Sequence, residues 1–150
     1  MPQSLSALYI HMVFSTKDRA LFLDDNLRDE INAYLVGTLK NQDCPSIMTN
    51  SQRDHVHSLF VLPRVKTVAD VAKSLKESSS KWMKSQGVDF QKFSWQRGYG
   101  AFSVSQSNVE PVKTYIANQA EHHHRMSFQE EYRLLLEKHG VEWNEQYVWD

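Results

Sequence analysis

Residues 53 to 63, RDHVHSLFVLP, constrain the fold of this chain more than any other stretch. The run is rich in β-formers and closed by Pro63, which reads as a buried strand. Side chains on a strand alternate between faces. His55 and His57 therefore share one face, roughly 6.5 to 7 Å apart along the chain, and Val56 and Phe60 belong to the other. A His-x-His pair on a strand is, without context, more often a polar or satisfied core pair than a metal site. Two neutral imidazoles on one rigid face are also half of such a site, because each offers one lone pair and leaves its other nitrogen to an orienting partner.

The segments around this strand narrow the architecture. ALYIHMVFST (7 to 16) fits a buried first strand, and DDNLRDEINAYLVGTLKNQ has an acidic start with apolar residues at helical spacing: Leu27, Ile31, Tyr34, Leu35 and Leu39. CPSIMTNSQ (44 to 52) reads as a strand that pairs with the His55 strand as a hairpin. TVADVAKSLKESSSKWMKSQG (67 to 87) is a second helix with Thr67 and Asp70 placed for capping, and FSWQRGYGAFSVSQS (93 to 107) is a loop entering a fourth strand. Residues 108 to 125 predict a third helix capped by Asn108, and residues 127 to 140 a fourth, stopped by Gly140. This order is the split βαβ of an α+β, ferredoxin-like (RRM-like) sandwich. It predicts an antiparallel sheet with helices on one face, the other face open for a site, and a C-terminal helix bearing Tyr115. Nothing resembling an interdomain linker interrupts residues 1 to 150, so a single domain is expected, with a core over about 5–125 and a helical tail over about 126–150.

With 41% hydrophobic and 23% charged residues, the chain has the balance of an ordinary soluble protein. A lone cysteine, Cys44, excludes an internal disulfide, and the start MPQSLSALYIHMVF lacks the pattern of a secretory signal, which points to the cytoplasm. The formal net charge of −1 argues against nucleic-acid binding by bulk positive charge, yet it conceals an asymmetry. Residues 64 to 97 carry eight Lys or Arg against three acids, and residues 126 to 150 two against six. Solvated helix faces account for this pattern. A local phosphate-binding surface beside an acidic tail that faces elsewhere accounts for it as well.

Tyr115 and Gln119 lie four residues apart on the third predicted helix, one turn from each other on one face. A tyrosine can supply a nucleophilic phenolic oxygen, and a glutamine a neutral carbonyl oxygen for a hard cation. With His55 and His57, Gln119 would complete three protein ligands around Mg²⁺ or Mn²⁺ and leave positions for phosphate and water. His122, His123 and His124 are consecutive and cannot share one ion on a helix, although His123 follows Gln119 by four. His11 reads as a structural strand residue, and Asp54 as a turn residue able to orient an imidazole.

The segments YIHMVFSTKDR, DHVHSLF, SLKESSSKWM, WQRGYGAFSVS and VKTYIANQAEHHHRMSFQEEYRLLLEKHGVEW, in this order, resemble the small single-tyrosine HUH transposases of bacterial insertion sequences, which include relatives associated with repetitive extragenic palindromes. HUH denotes His, hydrophobic, His, here His55, Val56 and His57. The resemblance covers almost the whole chain. It implies that Tyr115 attacks a single-stranded DNA phosphodiester to give a 5′-phosphotyrosine, that His55, His57 and Gln119 bind the metal, and that the protein is a homodimer recognising hairpin DNA. From charge alone, Lys73, Lys76, Lys81 and Arg97 are candidate phosphate contacts. A domesticated hairpin-binding module without transposition activity is the alternative.

Overall fold

The computed structural model describes residues 2–122 and 125–150, with the backbone alone at His122. Strands β1 (Tyr9–Ser15), β2 (Ser46–Gln52), β3 (His55–Val61) and β4 (Gly100–Val104) form one sheet in the order β2-β3-β1-β4, with every neighbouring pair antiparallel. This is the expected split βαβ topology, with the histidine strand and β1 at its centre. Helix α1 (Asp25–Asn41) begins at the acidic start seen in the sequence, and α2 (Val68–Lys84) at the expected Thr67 cap. Asp24 accepts from the Asn26 and Leu27 amides, and Thr67 from that of Asp70. Their apolar stripes (Ile31, Leu35, Leu39, Val71 and Leu75) meet Met12, Phe14, Val56 and Phe60 in the main core. Each large side chain fully buried there contributes about 1.5–3 kcal/mol, which makes this face the rigid backing for β1 and β3.

The second face is not open, contrary to the expectation. Helices α3 (Val109–Ala117) and α5 (Phe128–Lys138) cover it. Val109 and Ile116 pack with Leu59, whereas Phe128, Tyr132 and Leu136 pack with Val13 and Phe102. Both helices carry an apolar stripe that only the sheet can bury. The helix predicted over 108 to 125 is broken: α3 ends at Ala117, Asn118 (φ −96°, ψ 23°) leaves helical geometry, and a short α4 (Gln119–His122) follows. From β2, Asn50 Nδ2 donates to the Ile116 and Ala117 carbonyls at 3.0 and 3.4 Å, which satisfies the exposed end of α3. Asn108 makes no side-chain cap, and a 3₁₀ turn over Gln106–Asn108 leads into α3 instead. Among the described residues no helix is long and apolar enough to cross a membrane.

After α5 the chain reverses at Gly140 (φ 67°), a left-handed conformation that suits glycine, and folds back on the helix. Glu145 accepts from Arg133 Nε at 2.7 Å, Trp143 Nε1 at 2.9 Å and Trp149 Nε1 at 3.1 Å. The Trp149 carbonyl accepts from Arg19 at 2.8 Å, and the Asp150 carbonyl from the Gly98 amide at 2.8 Å. The tail thus ties α5 to the β1–α1 turn and to the loop before β4. Gly100 is the tightest point of this joint, because a Cβ there would stand 2.7 Å from Tyr132 Cε1 and 2.9 Å from its hydroxyl oxygen. Gly100→Ala is expected to cost about 1–3 kcal/mol through overpacking. The check is a lower urea midpoint with an unchanged slope.

Candidate catalytic and metal site

His55 and His57 are fully buried on β3, where the register sets them opposite Ser15 and Val13 of β1. Their ring centroids lie 5.2 Å apart, and the Phe128 ring closes over His55 at 4.7 Å. Each ring is held from behind. Asp54 Oδ1 accepts from His55 Nδ1 at 2.6 Å, and His11 Nε2 lies 2.8 Å from His57 Nδ1. Expected as a structural strand residue, His11 orients the second imidazole, as partners of metal-site histidines do.

Both Nε2 atoms face one carboxylate. Glu131 Oε1 lies 2.9 Å from His57 Nε2 and 3.4 Å from His55 Nε2. Its Oε2 accepts from the Tyr115 hydroxyl and, at 3.1 Å, from Gln119 Nε2. Gln119 Oε1 lies 3.3 Å from His55 Nε2. Tyr115 on α3 and Gln119 on α4 therefore reach the histidine pair within a single chain. Glu131 is the residue sequence reasoning missed, and the expectation that the acidic tail faces elsewhere is corrected at this position. Phe128, Glu131, Tyr132 and Leu135 follow the i, i+3, i+4, i+7 stripe, so a carboxylate stands on the buried face of α5 while its neighbour Glu130 is exposed. That stripe was the available signal.

With Glu131 ionised, the His57 Nε2 facing it at 2.9 Å carries a hydrogen, and His55, set between the Asp54 and Glu131 carboxylates, is placed to donate from both ring nitrogens. Burial by itself would lower the His55 pKa, but Asp54 and Glu131 outweigh it and hold it up at about 9. His11 is held well below the ordinary histidine range, first by burial and then by His57. Burial, then the charge of Glu131 and its hydrogen bond, push the Tyr115 phenol well above the usual tyrosine range.

The four basic candidates lie apart from this cluster on and after α2. Lys73, Lys81 and Arg97 are exposed. Lys76 is half-buried: its Nζ donates to the carbonyls of Gln96, Arg97 and Gly98 at 2.9, 3.0 and 2.6 Å, and burial lowers its pKa to about 8. It holds the loop before β4, and with Lys81, Arg97, Ser80 and Trp95 it lines an open cavity of 570 Å³. His123, His124 and the side chain of His122 lie outside the described residues.

The antiparallel α+β sandwich that carries this cluster is a fold shared with solved transposase structures. The family model for IS200-like transposases covers residues 4–119, and the chain belongs to that family of DNA-cleaving enzymes. Solved structures of the same fold include a candidate transposase from Deinococcus radiodurans R1, with a TM-score of 0.62 and 23% identity over 79% of this chain and 98% of that one. They also include a REP-associated tyrosine transposase bound to a REP hairpin, with a TM-score of 0.58 and 11% identity over 82% of this chain and 74% of that one. No curated protein matches the chain.

A sign follows from the His55 environment. Its folded pKa of about 9 exceeds the ordinary value of 6.5, so its stabilisation is fully present below about pH 6.5 and is lost as pH rises through 9. Urea unfolding of the metal-free protein is expected to show stability declining over that window. His55→Gln should flatten the decline.

Proposed function

We propose that the protein cleaves and rejoins single-stranded DNA through a 5′-phosphotyrosine at Tyr115, assisted by a divalent metal held beside His55 and His57. The observation that carries this reading is the convergence of the Tyr115 hydroxyl and both histidine Nε2 atoms on one carboxylate. A carboxylate oxygen that already accepts from the phenol is placed for the proton removal that nucleophilic attack requires.

The donor set suits a hard or borderline cation. Donor atoms of His55, His57 and Glu131 lie within 4.8 Å of one another, and Gln119 Oε1 adds a neutral oxygen beside them. Mg²⁺ or Mn²⁺ held there would polarise the phosphodiester and stabilise the charge that develops in in-line displacement. In the attack, Tyr115 Oη forms the bond to phosphorus, the bond to the 3′-oxygen breaks, and that oxygen takes up a proton from solvent water as a 3′-hydroxyl. The phenolic proton passes to Glu131 Oε2. Attack of a 3′-hydroxyl on the phosphotyrosine reverses the sequence and rejoins a strand. Asp54 and His11 keep the two imidazoles in orientation throughout.

Hairpin DNA is the proposed recognition partner, supported by the REP hairpin bound to the structural relative. Lys73, Lys81 and Arg97 would meet its phosphates, and Lys76 would act mainly through the loop it holds. We place the protein in the cytoplasm as a single-domain homodimer in which each chain carries its own constellation.

Incubation with Mn²⁺ or Mg²⁺ and single-stranded DNA from the flanks of the gene is expected to yield a covalent protein–DNA adduct on denaturing gels. Tyr115→Phe should abolish it. An undiminished adduct in that variant would remove the nucleophile assignment, and tight hairpin binding without any adduct in either metal would favour the binding-module alternative. His57→Ala should abolish cleavage while DNA binding changes by no more than a few fold. Because His55 is protonated up to about pH 9 without metal, cation affinity measured by calorimetry is expected to rise with pH across 6.5 to 9, with proton release.

A further inference from the structure

A cavity of 620 Å³ opens directly beside the Tyr115–Glu131 contact and has no part in the chemistry described above. Its floor is His11 and Val104 of the sheet, one wall is α3 and the other α5. Tyr115 and Glu131 stand at its inner end. Seven residues away in each case, Asn108, just before α3, and Lys138, the last residue of α5, stand at its outer end, about 10 Å distant at 1.5 Å rise per residue. Between the two ends the lining is apolar: Pro111, Val112, Leu134 and Leu135.

The polar groups at the outer end are unspent. Asn108 makes no side-chain cap bond, and Lys138 has no hydrogen bond or ion pair among the described residues. His139 Nδ1 lies 2.8 Å from the Leu135 carbonyl, which can only accept, so Nδ1 carries a hydrogen and Nε2 is left for the cavity. Its ring stacks on Phe102 at 4.4 Å, which fixes its plane. An apolar slot of this size, with one amide, one imidazole nitrogen and one ammonium at its mouth, fits a flat heteroaromatic ring joined to an anion. Continuity with the reacting tyrosine specifies which one.

We propose that this cavity is a nucleotide pocket, taking the unstacked base of the nucleotide next to the phosphate attacked by Tyr115. The base lies between Val112 of α3 and Leu134 and Leu135 of α5. Asn108 and His139 meet its polar edge, and Lys138 pairs with a neighbouring phosphate. The pocket gives the protein a direct means of choosing where a strand is cut. This inference rests on the single-strand cleavage reading above, so its test includes a readout independent of cleavage.

The four 2′-deoxynucleoside 5′-monophosphates, with 2-deoxyribose 5-phosphate as a base-free control, would be titrated into the wild-type protein while the methyl resonances of Val112, Leu134 and Leu135 are followed by NMR. At least one nucleotide is expected to shift them with at least tenfold preference over the base-free control, and to do so at least tenfold more weakly in Lys138→Glu. Leu134 is 52% exposed, so Leu134→Trp fills the slot from a position that tolerates bulk. It should abolish the shifts and slow adduct formation at least tenfold, with the methyl spectrum of the free protein reporting that it folds. Equal response to the base-free control would reduce the site to a phosphate contact and overturn the proposal, as would absence of any shift. Unchanged adduct formation in a folded Leu134→Trp would overturn it and leave the tyrosine reading standing. Nucleotide-dependent shifts in a protein that never forms an adduct would instead keep the pocket and overturn the tyrosine reading.

Discussion

The Glu131 carboxylate, 1% exposed, is the contact on which the arrangement of the site depends. A carboxylate this deep costs several kcal/mol unless its oxygens are paired and hydrogen-bonded. Both are. One oxygen faces two imidazoles from β3, and the other accepts from Tyr115 and Gln119 on two further helical segments. Four groups distant in sequence therefore find their compensation in one residue of α5, and moving α5 would leave all of them seeking new partners. Removing any single partner leaves a buried charge partly unmet, which is why the cluster behaves as a unit.

The rest of the fold serves to keep that meeting point in register. The α1 and α2 face supplies a packed core behind β1 and β3, so the histidines project from central strands and not from an edge. Leu59 with Val109 and Ile116, and Asn50 on the carbonyls ending α3, locate Tyr115. Phe128 and Tyr132 locate Glu131 from either side, and the folded-back tail braces the same helix. The Arg133–Glu145 pair is exposed and contributes little by itself. Its consequence is geometric: Glu145 also gathers Trp143 and Trp149, and those rings pack against the cluster that carries α5.

Much of this was legible in the sequence, for identifiable reasons. The strand and helix order, the cap at Thr67, and the shared face of His55 and His57 rest on local periodicity and capping chemistry, which sequence displays directly. The i, i+4 relation of Tyr115 and Gln119 survived even a helix break at Asn118, because both residues lie within about one turn of it. Glu131 escaped because EEYRLLLEK has the composition of a solvated acidic helix, and only its place in the stripe separates it from Glu130. The closure of the second sheet face escaped because it depends on long-range docking of α3 and α5. Lys76 shows what charge alone leaves out: from α2 its ammonium also donates to three carbonyls of the loop before β4.

The amide at position 119 also has a physical explanation that spacing could not supply. Gln119 donates through Nε2 to Glu131 while its Oε1 faces His55, so it meets an acceptor and a donor at once. A glutamate there would set a second anion about 3 Å from Glu131, and like charges at that distance force one carboxyl to keep its proton. It would also deepen the negative potential that already holds the Tyr115 phenol protonated. A lysine or arginine could answer Glu131 but would offer His55 no acceptor. Only a neutral group with both functions leaves Glu131 ionised, able to receive a phenolic proton, without adding to the barrier that the same carboxylate raises against tyrosine ionisation.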